Sequence, residues 1–248
     1  MHTQQELQEF CKKNLLDYDL SGIELDSISI NALLNIENED NNVFFTGNAG
    51  TGKTTLLQII RKCSMKTIVV LAPTGIAAVN AGGQTIHSFF TFPPKPLTSN
   101  NVPKKISDMK YSIIKNVDMF VIDEISMLSG TFLDTLDRIC RAFKRKPELP
   151  FGGIQVVLCG DLFQLPPVTK KGEPVSMIID SKVWKTMNPI ICYLSEQHRQ
   201  DDEIFTDILN AIRQNNIQDY HLETLEERIR EYSEDDFQNV TKLFTHNA

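Results

Sequence analysis

The chain has 248 residues, 41% hydrophobic and 23% charged, a globular composition that excludes collagen, coiled coil and wholesale disorder. Lys plus Arg is 25 and Asp plus Glu is 32, a net charge of -7, which argues against coating nucleic acid by bulk charge but leaves room for a local groove. The five cysteines (Cys11, Cys63, Cys140, Cys159, Cys192) are scattered with no CxxC pair, so zinc is not expected and a reducing compartment fits.

The N-terminus, MHTQQELQEF, lacks the basic and apolar regions of a secretory signal, so the protein is not expected to be secreted. No stretch reaches the roughly 20 apolar residues of a membrane span, and no membrane partner is expected. Residues 1–40 are mixed and polar, with ELQEFCKKNLL and SISINALLNIEN as short helices, and read as an N-terminal helical extension. Five β-branched-rich runs follow: Val43–Thr46, Thr67–Ala72, Asp118–Ile122, Gln155–Cys159 and Ile190–Leu194. They do not alternate strictly, the pattern of strands buried on both faces. Between them, Lys53–Lys62 and Thr131–Lys146 carry apolar stripes at helical spacing. Strands alternating with helices predict an α/β fold with a mainly parallel sheet and right-handed crossovers over residues 41–200. Thr91–Asn101 and Pro166–Pro174 are Pro-containing loops. Residues 201–248 read as a helical tail with helices at DEIFTDILNAIRQ and LETLEERIREY.

Gly47-Asn48-Ala49-Gly50-Thr51-Gly52-Lys53-Thr54 matches GxxxxGK[ST] between a predicted strand and a predicted helix. Glycines let the backbone wrap phosphates, and the helix N-terminus adds positive potential. Lys53 is placed for the β- and γ-phosphates and Thr54 for Mg²⁺. The other reading is a glycine-rich turn with a chance Lys-Thr. Further on, Asp118–Ile122 ends in Asp123-Glu124. Ligands of open α/β sheets bind at the carboxyl ends of strands, which places Asp123 for the Mg²⁺ shell and Glu124 to orient or deprotonate water. These residues predict ATP and Mg²⁺ as cofactors.

Four further motifs decide the class: Ala72-Pro73-Thr74-Gly75-Ile76-Ala77-Ala78, Gly83-Gln84-Thr85-Ile86-His87-Ser88-Phe89-Phe90, Gly160-Asp161-Leu162-Phe163-Gln164-Leu165-Pro166-Pro167-Val168 and Leu194-Ser195-Glu196-Gln197-His198-Arg199-Gln200. Together with GNAGTGKT and VIDEIS, in this order, they resemble the first RecA-like domain of a superfamily 1 DNA helicase of the Pif-type branch, related to RecD, over roughly residues 43–200. The resemblance implies a RecA-like P-loop NTPase three-layer fold and an ATP-dependent helicase moving 5′-to-3′ on single-stranded DNA. It implies nucleotide contacts from Gly47 through Thr55, with Thr55 beside Lys53 and Thr54. Pro73, Thr74, Gly75, His87, Ser88 and Phe89 would meet single-stranded DNA by phosphate contacts and stacking. For at least one of Phe89 and Phe90 core packing is the favoured alternative. Gln164 resembles the family's γ-phosphate sensor, and Arg199 its charge-neutralising arginine. Such a protein belongs in the cytoplasm of a bacterial or viral host cell, or in a eukaryotic nucleus.

Family members usually carry an adenine-reading glutamine upstream of the phosphate loop. Between Gln8 and Gln58 there is none, leaving Asn31 or Asn35 as substitutes. The final residues, TKLFTHNA, look like the opening strand of a second RecA-like domain, so the chain is expected to be the first motor domain of a longer protein and weakly active alone. Arg138, Arg141, Lys144, Arg145 and Lys146 read either as a nucleic-acid face or as a solvated helix face. The competing function classes are a non-helicase P-loop ATPase and a binding module whose partner affinity is tuned by nucleotide.

Overall fold

The structure, a computed structural model, describes residues 25–38, 40–48, 50–92, 107–168, 175–194 and 203–229. They fall in two compact units divided between Arg199 and Gln200. The elements of the first unit, in order, are α1 (Ser27–Asn38), β1 (Val43–Gly47), α2 (Lys53–Cys63), β2 (Ile68–Ala72), α3 (Gly75–Ala81), β3 (Gln84–Thr85), α4 (Ile86–Phe90), α5 (Asp108–Asn116), β4 (Met119–Ile122), α6 (Gly130–Lys144), β5 (Gln155–Cys159), α7 (Lys182–Met187) and β6 (Ile190–Leu194). No helix among the described residues is long and apolar enough to cross a membrane.

The strands pair only in parallel, in the order β3-β2-β4-β5-β1-β6. Successive side chains leave a strand on opposite faces, and in β1, β4 and β5 both faces are covered. Phe44, Phe120, Ile122, Val156 and Leu158 enter a core with α4 and α6. Their neighbours Val43, Phe45, Met119, Val121, Val157 and Cys159 enter a second core with α1 and α2. An uninterrupted apolar strand is what this double burial requires, so the absence of alternation follows from the architecture. The result is the expected three-layer RecA-like fold.

The five longer strands appear where the sequence places them, to within a residue or two. The two-residue β3 and the helices α3, α4, α5 and α7 are additional. They are short and carry little periodic signal, but their caps are legible. The Thr74 hydroxyl accepts from Ala77 N–H at the start of α3, and Gly82, with φ 69°, ends it. The extension expected over residues 1–40 is, in its described part, integral to the sheet domain. Ile30, Leu33 and Ile36 of α1 are buried in the second core because the sheet face at β1 and β6 needs an apolar cover. The other expected N-terminal helix lies outside the described residues, as do most of the loop over 91–101 and part of the one over 166–174.

A polar clamp locks α1 to the base of the sheet. Gln155, only 6% exposed, donates its amide to Ile36 O at 2.9 Å and Asn41 O at 2.7 Å. Lys66 Nζ reaches Gln155 Oε1 at 2.8 Å and Ile36 O at 2.5 Å. Asn42 Oδ1 accepts from Val156 N–H at 2.7 Å, bracing β5 on the loop before β1.

In the second unit, α8 (Glu203–Arg213) and α9 (Asp219–Glu226) form a helical pair. His221 Nδ1 accepts from Gln218 N–H at 2.9 Å, starting α9, while Asp207 Oδ2 accepts the Tyr220 hydroxyl at 2.7 Å and lies 3.0 Å from His221 Nε2. This cap starts α9 three residues before the LETLEERIREY helix expected from sequence.

Replacing Gln155 by Leu strips donors from two main-chain carbonyls and an acceptor from Lys66. It is expected to lower unfolding free energy by about 2–3 kcal/mol, measured by urea denaturation, with nucleotide affinity unchanged because the clamp lies at the opposite end of the strands from the phosphate loop.

Candidate nucleotide and single-strand site

Because all strands are parallel, their carboxyl ends share one edge of the sheet. Leu71 pairs with Ile122, Ile122 with Leu158, and Leu158 with Phe44, so the tips of β2, β4, β5 and β1 stand at one level. Gly47, Asp123 and Gly160 leave the sheet side by side there.

The loop after β1 turns on Gly50 and Gly52, both with φ 82°, a left-handed conformation that favours glycine. Gly47 is needed for a different reason: a Cβ there would lie 2.3 Å from Leu194 O. Gly52, which has no side chain to cap it, precedes the first turn of α2. Lys53 Nζ donates to Gly47 O at 2.9 Å and Asn48 O at 2.6 Å, so its ammonium rests inside the loop. Thr51 Oγ1 donates to Asn48 O at 2.9 Å. Thr54 is exposed and Thr55 half-buried at the same helix start.

Asp123 is buried, and its Oδ1 accepts Glu124 N–H at 2.9 Å. Burial pushes its carboxyl up, against the pull of the Glu124 N–H, the Cys159 thiol and Lys53. Glu124 sits at φ 51° and ψ 46°, a left-handed conformation that costs a non-glycine residue about 1–2 kcal/mol. The close approach of β5 holds this turn: a Cβ on Gly160 would come within 2.9 Å of Ile125 N. Burial and the neighbouring Asp123 raise the Glu124 carboxyl; Lys53 lowers it and Asp161 raises it. These mutual influences put Lys53, Asp123, Glu124 and Asp161 in one electrostatic cluster. A glycine loop, an uncapped helix start, an ammonium, a hydroxyl and a buried carboxylate fit a Mg²⁺-nucleotide.

Asp161 had no role in the sequence reading beyond its place in the motif. It is buried, accepts Phe163 N–H on Oδ1 at 3.1 Å and takes Gln164 Nε2 on Oδ2 at 3.3 Å. It thereby orients the exposed Gln164 side chain. An aspartate directly after a strand-ending glycine was the available signal. Ala49 and Arg199 lie outside the described residues. Asn35 spends its amide nitrogen on Asn31 O at 2.9 Å, one helical turn back.

The second group of predicted residues lies beyond β2 and β3. Pro73 and Thr74 are half-buried and Gly75 exposed at the start of α3. Thr74 Oγ1 accepts from Ala77 N–H, which leaves its hydroxyl proton available to donate. Ser88 is exposed and its carbonyl accepts from Lys110 Nζ. His87 is half-buried, with its ring stacked on Phe132 at 5.5 Å and burial lowering its pKa. The expectation that Phe89 stacks on a base is corrected: it is 1% exposed, packed edge-on against Phe90 and Phe120, and has no free face. Phe90 is buried likewise, because a short helix over the sheet needs apolar anchors.

Among the basic residues of α6, Arg141 Nε binds both Asp137 oxygens at 2.8 and 2.9 Å and its Nη1 donates to Pro147 O at 2.5 Å. Lys144 Nζ caps α5 through Lys115 O at 3.0 Å and Val117 O at 2.9 Å. Both brace turns of this unit.

Residues 26–223 match the family model described as PIF1-like helicase. The ATP-dependent DNA helicase RRM3 of Saccharomyces cerevisiae is 44% identical over 181 residues, covering 69% of this chain and 25% of that protein. The human ATP-dependent DNA helicase PIF1 is 38% identical over 174 residues, covering 69% and 27%. The chain thus spans about a quarter of the length of these relatives. Among solved structures, Bacteroides Pif1 bound to ssDNA aligns with a TM-score of 0.76 at 39% identity, covering 86% of this chain and 52% of that one. The same values hold for its complex with ADP-AlF3 and ssDNA.

A carboxylate whose folded pKa is raised contributes stability that is fully present below its unfolded pKa and is lost as pH rises through the folded value. Glu124→Gln removes this cost. It is expected to raise the Tm of the nucleotide-free protein by about 1–3 °C at pH 7, a gain that disappears on acidification into the carboxylate range; thermal scans across pH check it.

Proposed function

The chain belongs to the PIF1-like helicase family, and from that premise we propose that it is the nucleotide-binding motor domain of an ATP-dependent DNA helicase. The convergence of Lys53, Asp123, Glu124 and Asp161 at level strand tips carries this reading. The named activity of its relatives, and the ssDNA and ADP-AlF3 held by Bacteroides Pif1, supply the substrate class.

In this reading Lys53 exchanges its two loop carbonyls for β- and γ-phosphate oxygens, joined by the first N–H groups of α2. Thr54 and Asp123 would hold Mg²⁺, which would neutralise charge developing on the phosphoryl group. Glu124 takes a proton from the attacking water as the water oxygen bonds to the γ-phosphorus and the bond to the bridging oxygen breaks, releasing ADP. Its raised proton affinity suits that task. Gln164, steadied by Asp161, contacts the γ-phosphate, and Arg199 offsets the phosphoryl charge.

Single-stranded DNA runs over α3 and α4, contacted by the Thr74 hydroxyl, Gly75 N–H, Ser88 and the edge of His87. Such contacts are sparse and sequence-neutral, as a motor that repeatedly releases its track needs. A second RecA-like domain closes on nucleotide and strand, and alternation between open and closed arrangements yields 5′-to-3′ steps. Work on DNA places the protein in the cytoplasm or, in a eukaryote, the nucleus.

In the full-length protein, Glu124→Gln should bind ATP as tightly as wild type, lose turnover by about 10²-fold or more and fail to displace a strand from a 5′-tailed fork. Wild-type turnover that ignores single-stranded DNA would instead favour a non-helicase ATPase, and strand binding regulated by ATP with no loss in Glu124→Gln a binding module.

A further inference from the structure

Helix α4 has five residues, too few to hold a helical shape unaided in water. Its orientation is therefore decided by what it packs against. Ile86, Phe89 and Phe90 are buried, and the two phenylalanines meet Phe120 of β4 at 5.8 and 6.1 Å. His87 takes another partner. Its ring lies on Phe132 of α6 with centroids 5.5 Å apart and planes inclined by 22°. Phe92, which follows the left-handed cap residue Thr91, meets the same Phe132 ring edge-on at 5.9 Å and 82°. It also meets His87 at 5.9 Å and 88°. One ring on α6 thus touches both the start of α4 and the residue just past its end.

Phe132 is in the first turn of α6, behind the N-cap Ser129, whose hydroxyl accepts from Phe132 N–H at 3.2 Å. Between Glu124 and Ser129 runs a tight turn with Ile125, Ser126 and Leu128 buried. Ile125 and Leu128 anchor the turn in the core shared with α6, and the same backbone runs on into that helix. A path of backbone and two rings therefore joins the catalytic turn to α4.

We propose that Phe132 is a positioning residue of the motor, coupling the Glu124 turn to the strand-contacting helix α4 by holding His87 and Phe92. The proposal rests on the reading that α4 meets single-stranded DNA. Burial favours the neutral form of the His87 ring, the form that stacks as an uncharged aromatic. The contact is one of ring shape, which Tyr preserves and Leu does not.

The test uses the full-length protein with Phe132→Leu and Phe132→Tyr, and an oligo(dT) single strand as probe. Basal turnover, the KM for Mg²⁺-ATP, oligo(dT) affinity by fluorescence anisotropy and the oligo(dT) concentration for half-maximal stimulation are measured. Phe132→Leu should weaken oligo(dT) affinity and raise that half-maximal concentration about five-fold, the equivalent of one aromatic pair, with basal turnover and KM unchanged. Phe132→Tyr should behave as wild type. If Phe132→Leu is insoluble, Phe132→Met carries the same expectation. Equal oligo(dT) responses in Leu, Tyr and wild type would overturn the coupling role, as would a loss of basal turnover that matches the loss of stimulation. A wild type that neither binds oligo(dT) nor responds to it would overturn the helicase reading itself, and this proposal with it.

Discussion

The common direction of the strands is the constraint on which everything else depends. Both faces of the central strands β1, β4 and β5 are filled mainly with apolar side chains, which confines polar chemistry to the strand ends. Charged groups are tolerated only where a strand leaves the sheet, and parallel pairing puts all the leaving points on one edge. Level register then brings residues 76 positions apart, Gly47 and Asp123, to the same edge of the sheet with only β5 between them. The clamp of Gln155, Lys66 and Asn42 at the opposite edge supports that register by tying the starts of β1 and β5 together.

The site stands out from this background by its unfavourable terms. Asp123 and Glu124 are adjacent, partly desolvated carboxylates: burial raises the proton affinity of both, and the Asp123 charge raises that of Glu124 further. Glu124 also holds a left-handed backbone without being glycine. Neither feature helps the fold, and both are held in place by packing: the hydrogen bond from Glu124 N–H to Asp123, and the approach of Gly160 to Ile125. Strain that the surroundings over-determine is the usual mark of a working site. Lys53 resting on its own loop carbonyls shows the complementary preparation, an ammonium already directed into the cradle.

Away from the nucleotide end, side chains that look alike in sequence have different fates. His87, Phe89 and Phe90 stand within four positions, yet Phe89 and Phe90 anchor the short helix and His87 leans on a ring of another helix. Arg141 and Lys144, both on a basic helix face, are occupied by Asp137 and by the end of α5.

Local spacing was sufficient to read the phosphate loop, the acidic strand end, the five main strands and the three longest helices of the sheet domain. Each of these is a short-range requirement: glycines where φ is positive, apolar runs where both faces are covered, a 3.6 period where one face is. Helices of five to nine residues escaped because their stability comes from neighbours distant in sequence rather than from periodicity. The burial of Phe89, the support of Gln164 by Asp161 and the Phe132 ring under His87 were settled only by the tertiary fold. Each depends on which elements meet across the sheet and at what depth, and that is a property of packing between distant segments, which residue type and spacing do not encode.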